Sequence, residues 1–208
     1  YVRDLSNNVR SGVFQIDDDV YNTVLRHTVK AFYYQRCGQA KPMGFGGNWN
    51  DAVACHVQAG QDLDCRLVTD PNNASTSKDL SGGWHDAGDY NKYVNFSHDP
   101  VHSLLFAYEE NSTVWEDDYL IPESGNAIPD ILDEVRVELD WLLKMQLGNG
   151  AVLMKVSVPN FAAESPPSAD TTVRRYGPAQ ASSTRAAAGM FAHASMVYRS
   201  VGMSAYAD

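Results

Sequence analysis

The chain has 208 residues, of which 44% are hydrophobic and 20% are charged, a composition typical of a folded domain or a large part of one. Its formal net charge of −10 argues against binding to nucleic acids or anionic membranes, because an acidic surface repels both. A neutral partner such as a carbohydrate is compatible with this charge. No run of about 18 apolar residues occurs, so no membrane span is predicted. The first residues also lack the apolar core of a signal peptide, so any secretion signal is expected to be removed or to lie upstream.

Four segments have the residue patterns of helices. They are residues 17–36, about 100–110, 126–146 and 180–201. Asp17 to Asp19 favour the N-terminal end of the first helix, because the helix dipole attracts negative charge there. Asp99 is the expected N-cap of the second helix, and Pro129 is expected in the first turn of the third. The predicted apolar faces are Val20, Tyr21, Val24, Val29 and Phe32 in the first helix, and Leu132, Val135, Leu139, Leu142 and Leu143 in the third.

Long loops separate these helices, and strand patterns are scarce. Residues 40–84 are rich in Gly, Asn, Asp and Ser without sustained periodicity, so they are predicted to be largely irregular. Residues 111–125 and 165–178 are further predicted loops, and residues 151–158 are predicted to form a short extended stretch. The sequence therefore predicts an all-α fold, in which a helical scaffold presents a functional site on its loops.

The most informative segment is residues 81–93, Ser-Gly-Gly-Trp-His-Asp-Ala-Gly-Asp-Tyr-Asn-Lys-Tyr. Asp86 and Asp89 stand among glycines that permit a tight, irregular backbone, so their carboxylates can converge on one small target. Taken alone, an Asp-x-x-Asp pair in a glycine-rich loop more often indicates a simple turn or a cation site. The rest of the chain is needed to decide between these interpretations.

Several segments resemble one enzyme family, and they occur in the expected order. Residues 82–89, Gly-Gly-Trp-His-Asp-Ala-Gly-Asp, resemble the base-bearing motif of glycoside hydrolase family 9. Residues 126–146 resemble the family's Ile-Pro-Asp-Leu-Leu-Asp-Glu helix, and residues 31–37 and 176–179 are similar to it as well. The resemblance covers most of the chain and implies that residues 1–208 are the N-terminal part of a single family 9 catalytic domain.

The resemblance implies an (α/α)6 barrel, of which only the N-terminal part is present, and an inverting hydrolysis of β-1,4-glucan, as in an endoglucanase or cellulase. In an inverting glycosidase a carboxylate deprotonates water while a carboxylic acid protonates the leaving oxygen. By motif position, Asp89 is the general base and Asp86 a second acceptor for the same water. The family's general acid is a distant Glu outside this chain, so the chain alone is expected to be inactive. Glu134 and Glu138 are expected to be solvated or ion-paired.

Three cysteines cannot all pair with one another, so metal binding competes with disulfide formation. Cys37, Cys55, His56 and His85 form a complete tetrahedral ligand set for zinc. Spacing alone favours a disulfide between Cys37 and Cys55, or buried free thiols. Members of family 9 with a similar Cys and Cys-His arrangement bind zinc there. The resemblance therefore implies a structural zinc held by Cys37, Cys55 and His56.

His85 is the expected fourth zinc ligand, because it would anchor the loop that carries Asp86. His98 and His102 are the reserves for this position, and Cys65 is left as a free thiol. Calcium also occurs in this family, but the motifs do not identify its acidic ligands here.

Aromatic residues near the motifs are candidates for stacking on sugar rings. Trp49 and Tyr90 are the predicted substrate-binding residues. Trp84 and Tyr93 are expected to contribute to packing instead, since aromatic side chains in a helical scaffold are at least as often part of the core.

Two alternatives to an endoglucanase remain open. The first is an exo-acting β-glucosaminidase or cello-oligosaccharide hydrolase of the same family, because related scaffolds differ mainly in the loops that close the cleft. The second is a non-catalytic, zinc-stabilised carbohydrate-binding fragment, which would bind glucan without hydrolysing it. The leading interpretation expects a β-glucan polysaccharide or oligosaccharide as substrate and a monomer at full length. It also expects secretion, because enzymes that degrade polymers meet them outside the cell.

Overall fold

The computed structural model of the protein describes residues 1–161 and 164–207. Within these residues the α-helices are α1 (Asn22–Gln35), α2 (Met43–Gly46), α3 (Val94–Glu110), α4 (Asp130–Met145), α5 (Ala181–Ser200) and α6 (Ser204–Ala207). Single 3-10 turns lie in the connecting loops, at Gly47–Trp49, Asp62–Asp64, Ala74–Thr76, Ser112–Val114 and Pro167–Ala169. Helices therefore form the scaffold, and long connections carry most of the remaining chain.

Two small sheets accompany the helices. The strands are β1 (Arg3–Asp4), β2 (Val9–Arg10), β3 (Arg66–Leu67), β4 (Lys92–Tyr93), β5 (Lys155–Ser157) and β6 (Arg175–Tyr176). The first two strands form an exposed antiparallel hairpin. The other four have the order β3-β6-β5-β4, with β3 and β6 parallel and the other neighbours antiparallel. Strand β4 follows the Asp-x-x-Asp motif, so the second sheet connects the motif to the loops that carry β5 and β6.

The hydrophobic core lies where α3, α4 and α5 pack together. Small side chains on α5, including Ala187 and Ala194, are buried and allow close approach of the neighbouring helices. Fully or almost fully buried core residues on these helices include Val101, Leu105, Ile131, Leu132, Val135, Leu142, Met190, Val197 and Tyr198. The hydrophobic core therefore supports the loops and does not include their polar residues, which can form a site.

The predictions for α4 and α5 are largely correct. Helix α5 matches the predicted range, whereas α4 begins at Asp130 because Pro129 is its N-cap in an extended conformation with ψ of 131°. Asn126 lies in the turn before it, where its side chain accepts the Ile128 N–H (2.7 Å). Four of the five predicted core leucine and valine positions on α4 are buried, but Leu143 is 55% exposed. Trp141 is fully buried instead, because α4 contacts the loops on that side as well as the other helices.

Two helix starts were predicted wrongly. Helix α1 begins at Asn22, so Asp17 to Asp19 precede it, and the first buried residue of the helix is Val29. The predicted N-terminal half of its apolar stripe is exposed, since no core surface among the described residues covers it. Helix α3 begins at Val94 and contains Pro100, which removes one helical hydrogen bond without ending the helix. Asp99 is therefore not its N-cap.

The loop predictions agree with the structure in most places. Residues 40–84 contain only single turns of helix and the two-residue strand β3, and residues 151–158 contain β5, as predicted. The predicted loop at residues 165–178 contains β6, a short strand that pairs with β3 and β5. An all-α class thus describes the scaffold but omits two small sheets, and the complete barrel stays a prediction. Among the described residues, none of the helices has the length and apolarity needed to cross a bilayer.

Candidate active site and metal centre

The 86–89 turn lies between two buried residues. On one side, His85 is 3% exposed, and its N–H donates to the Gln35 carbonyl oxygen (2.8 Å) at the end of α1. On the other side, the carbonyl oxygen of buried Asn91 accepts the Asp86 N–H (2.8 Å). Tyr90 completes the turn with a φ of 58°, a left-handed conformation that is uncommon for residues other than glycine. The turn is therefore held at both ends while its middle faces solvent.

The two carboxylates of this turn have different surroundings. Asp86 is exposed, and partial desolvation together with the negative charge of Asp89 raises the pKa of its carboxyl. Asp89 is half-buried, and its two oxygens accept the backbone N–H (3.2 Å) and the side-chain amide (2.8 Å) of Asn91. The side-chain oxygen of Asn91 in turn accepts the Val158 N–H (3.0 Å). Asn91 thus orients Asp89, three positions from Asp86 in the same turn.

Two buried glutamates of α4 hold the residue that precedes His85. Glu138 accepts the backbone N–H of Trp84 (2.7 Å) and the hydroxyl of Ser97. Glu134 accepts the indole N–H of Trp84 (2.8 Å) and forms an ion pair with Arg36 (2.8 Å). Both glutamates are 0% exposed, so solvation does not describe them, whereas ion pairing is confirmed for Glu134. Trp84 is buried, as expected for a packing residue.

The buried Glu138 is expected to make stability depend on pH. Burial raises the pKa of its carboxyl from 4.5 to about 7, so between these pH values the folded state binds more protons than the unfolded state. The free energy of unfolding should therefore fall as pH rises through this window, by on the order of 3 kcal/mol. Glu138→Gln should remove that part of the slope, measured by urea unfolding at a series of pH values. Glu110→Gln, at an exposed position of α3, is the control, and an unchanged slope in the Glu138 variant would contradict the prediction.

Four buried side chains converge beside the 86–89 turn. Their ligand atoms lie within 4.8 Å of one another, and all four residues are buried. The Nδ1 atom of His56 lies 3.2 Å from Nε2 of His85 and 3.5 Å from Sγ of Cys37, and Sγ of Cys55 lies 3.9 Å from Nε2 of His85. All three cysteines are free thiols, so the structure contains no Cys37–Cys55 disulfide.

These separations fit a tetrahedral zinc ion. Zinc bonds of about 2.3 Å to sulfur and about 2.0–2.1 Å to nitrogen place the ligand atoms of a tetrahedron roughly 3.3–3.8 Å apart. A hydrogen bond from Cys37 lowers the pKa of Cys55 to about 6, which favours the thiolate that zinc requires. Burial lowers the pKa of His85, which favours the neutral ring that a metal ligand requires. Burial raises the pKa of the Cys37 thiol, so this ligand would have to lose its proton when the metal binds. The donor set and its geometry therefore suit zinc.

The cluster is joined directly to the 86–89 turn. His85 immediately precedes Asp86, and the ring of Tyr90 lies 5.0 Å from the His85 ring and 5.5 Å from the His56 ring. The carbonyl oxygen of Tyr90 accepts a hydrogen bond from Arg174 (2.8 Å). Tyr90, which was predicted to bind substrate, is thus packed on the metal cluster. A change at the cluster would reach both ends of the turn.

Two cavities lie on the solvent side of this assembly. The smaller, about 210 Å³, is lined by Gln35, Asp86 and Tyr93 among others, so Tyr93 contributes to a cavity as well as packing on Phe96. The larger, about 670 Å³, is lined by Trp49 and also by Gln35, so the two cavities share one wall. Trp49 is 73% exposed, as an aromatic that stacks on a ligand would be.

Several residues of this region were missed by sequence reasoning. Asp62 accepts hydrogen bonds from Lys92 (2.6 Å) and Arg174 (2.5 Å), and all three are fully buried. Asn91 and Lys92 lie within the motif of residues 81–93 and could have been noticed there. Asp62 and Arg174 lie in irregular loops, where no local pattern distinguishes them from surface residues.

The reserve zinc ligands lie elsewhere. His102 is on α3, where its Nδ1 atom is 2.7 Å from Nδ1 of His193 on α5, and His98 pairs with exposed Asp99 (3.0 Å). Cys65 is a buried thiol outside the four-residue cluster. The structure therefore brings His85, rather than His98 or His102, to the cluster.

A second group of acidic residues lies at the start of α4. Asp117, Asp130 and Asp133 have carboxylate oxygens within 4.8 Å of one another, and Asp130 and Asp133 are 0% and 1% exposed. One oxygen of Asp130 and one of Asp133 have no hydrogen-bond partner among the described residues. Burial raises the pKa of Asp133 to about 6 and that of Asp130 in the same direction. Arg136 lies 3.7 Å from this Asp133 oxygen, whereas the Asp130 oxygen has no such partner among the described residues. A buried carboxylate oxygen without a partner is costly, which makes this group a candidate cation site.

Comparison with known proteins identifies the family. The model of glycosyl hydrolase family 9 matches residues 21–208. The chain belongs to this family. Among its relatives, Endoglucanase D of Acetivibrio thermocellus is 35% identical over 189 residues, which cover 89% of this chain and 29% of that protein. The Cellodextrinase of Butyrivibrio fibrisolvens is 33% identical over 212 residues, which cover 98% of this chain and 36% of that protein.

A solved structure of the same family is similar in fold. The Zn-binding triple mutant of the GH family 9 endoglucanase J30 has a TM-score of 0.77 and 31% identity, with 95% of this family 9 chain and 38% of that chain covered. The family 9 chain thus spans about a third of the length of the relatives and the structure that it matches.

Proposed function

We propose that this chain is the N-terminal part of a single family 9 catalytic domain that hydrolyses β-1,4-glucan with inversion, as an endoglucanase. The observation that carries the proposal is the 86–89 turn, where a half-buried, oriented Asp89 lies three positions from an exposed Asp86 that lines an open cavity. The general acid would come from the remainder of the domain. The family and its endoglucanase relative support the substrate class.

Asp89 is the proposed general base. Asn91 leaves lone pairs of the Asp89 carboxylate free and prevents the group from rotating away, so it can accept a proton from a water bound between Asp89 and Asp86, which lines the smaller cavity. Asp86, with its raised pKa, would accept or donate a second hydrogen bond to that water. A sugar chain would continue along the shared wall at Gln35 towards Trp49, whose exposed ring is the proposed stacking surface.

We assign a structural zinc to Cys37, Cys55, His56 and His85. When bound, the ion would neutralise the thiolates and fix His85, the residue next to Asp86. All four protein ligands are supplied by the chain, which leaves no coordination position for water and supports a structural role. Among the structural relatives, a triple mutant of endoglucanase J30 is described as Zn-binding, which shows that zinc can bind to a chain of this fold.

We also assign a calcium site to Asp117, Asp130 and Asp133. Calcium at 100 times its dissociation constant should raise the free energy of unfolding by about 2.7 kcal/mol, because the ion binds only the folded state. Asp130→Asn should abolish this effect, measured by thermal unfolding with added calcium or with a chelator. Asp118→Asn is the matched control, since Asp118 is an exposed neighbour that pairs with Arg26. Equal calcium responses in the two variants would overturn the site.

The proposed activity is tested on the full-length protein that contains this chain. An endoglucanase should rapidly lower the viscosity of soluble β-1,4-glucan while it releases reducing ends. The cellodextrinase relative favours a second candidate, which would cleave only short cello-oligosaccharides. An exo-acting β-glucosaminidase would release single amino sugars, and a non-catalytic fragment would bind glucan without cleaving it. Secretion and a monomeric state are further parts of the proposal, to be tested by fractionation of the producing cells and by light scattering.

A further inference from the structure

Beyond the four zinc ligands, a fifth buried residue faces the metal centre from a distant loop. Asp170 is 3% exposed, and its Oδ2 atom lies 3.3 Å from Nε2 of His56. The two residues are 114 positions apart in the chain. The Nδ1 atom of His56 faces Cys37 and His85, so Nε2 is the nitrogen left to meet Asp170.

The Asp170 carboxylate is held in place on its other side. Its Oδ1 atom accepts the backbone N–H (3.0 Å) and the hydroxyl (2.6 Å) of Thr172, and its backbone carbonyl accepts the side-chain amide of buried Gln61 (2.8 Å). These contacts orient Oδ2 towards the imidazole. A carboxylate so placed accepts a hydrogen bond from the Nε2–H group and leaves the lone pair of Nδ1 free for the metal.

Asp170 belongs to a segment, residues 166–174, that also borders the cleft. Pro166 and Pro167 line the larger cavity beside Trp49, and Ser168 is bound to Asp51 through its N–H (2.9 Å). The His56–Asp170 contact is therefore a direct connection between the metal ligands and one wall of the cavity.

We propose that Asp170 is a positioning residue for the zinc site, which selects the His56 tautomer that binds metal, and that zinc in turn holds residues 166–174 against the cleft. The inference rests on the zinc site of the proposed function. It adds that metal occupancy controls the order of a cavity wall as well as the position of the 86–89 turn.

The test compares zinc affinity in the full-length protein, measured by competition with a chromogenic chelator. Asp170→Asn should weaken zinc binding roughly 10–100-fold, the range typical for loss of an outer-shell carboxylate. Asp51→Asn is the matched control, because it loosens the same segment at Ser168 without contact to His56, so its loss of zinc affinity should be much smaller than that of Asp170→Asn. In a His56→Ala background, Asp170→Asn should cause no further loss.

Hydrogen exchange of the wild type supplies a readout that needs no variant. Zinc should slow exchange of the amides in residues 166–174 and leave the exposed β1–β2 hairpin unchanged. Wild-type protein without zinc affinity would overturn the zinc site itself. Zinc binding with equal affinity in wild type and Asp170→Asn, or equal losses in the Asp170 and Asp51 variants, would overturn the role of Asp170 alone. Exchange in residues 166–174 that does not depend on zinc would overturn the coupling to the cleft.

Discussion

Asp89→Ala in the full-length catalytic domain is expected to lower kcat on soluble β-1,4-glucan by roughly 10²–10⁴-fold, the range typical for loss of a general base. KM should change little, because the base acts on the proton of water in the transition state and does not hold the substrate. Asn91 anchors the turn through its bonds to Val158 and Asp86 as well as to Asp89, so the loop should keep its shape in the variant. The measurement is initial-rate kinetics by reducing-end release, with binding followed by calorimetry.

The matched control for this variant is Asp99→Ala. Asp99 lies on α3, and its side chain is 94% exposed. Among the described residues, its carboxylate has a hydrogen bond only with His98. Its removal should leave kcat and KM unchanged. Turnover by Asp89→Ala close to that of the wild type would mean that another group is the base. A large increase in KM without loss of kcat would instead assign Asp89 to substrate binding.

The second large effect is expected from Cys55→Ser. Serine is nearly isosteric with cysteine but is a poor ligand for zinc, so the variant should lose stoichiometric zinc. Because metal binding to such a site contributes directly to folding, the free energy of unfolding should fall by more than ~4 kcal/mol. The 86–89 turn should also lose its anchor at His85, so activity should fall together with zinc content. Zinc is measured by elemental analysis and stability by urea unfolding.

Cys65→Ser provides the control, since Cys65 is equally buried but lies outside the four-residue cluster. It should retain one zinc per chain and lose only about 1 kcal/mol, as for an ordinary core substitution. Adding a chelator should destabilise the wild type and the Cys65 variant but have little effect on Cys55→Ser. A Cys55 variant that keeps one tightly bound zinc would contradict the assigned ligand set.

Two features of the fold surround the 86–89 turn from opposite sides. Trp84 is held by Glu134 and Glu138 of α4, while His85 belongs to the cluster of Cys and His residues and Tyr90 packs on it. Both sets of contacts place ionisable groups in the interior, where such groups are stable only when they are paired. Such an arrangement suits a loop whose carboxylates must stay in place while they face solvent.

The motif of residues 81–93 and the order of the similar segments could be recognised from sequence because they are local and contiguous. Helix α5 followed from its composition and α4 from its periodicity, whereas the zinc ligand set of Cys and His residues was implied by the resemblance to family 9. The start of α1 did not follow, because an apolar stripe predicts a buried face only where another surface covers it. The start of α3 was missed because the predicted range placed Pro100 in the first turn of the helix. In the structure, Pro100 lies inside the helix.

By itself the sequence thus determined the family and the main helices, and it predicted the carboxylate pair and the Cys and His ligand set, all of which depend on residue type and short-range spacing. The tertiary structure alone decided which residues support them. Asp170 reaches His56 across 114 positions, and Glu138 reaches Trp84 across 54. Asp170 comes from an irregular loop, and Glu138 comes from a helix face whose sequence is typical of a polar surface. Only the folded chain distinguishes a buried charge from a solvated one.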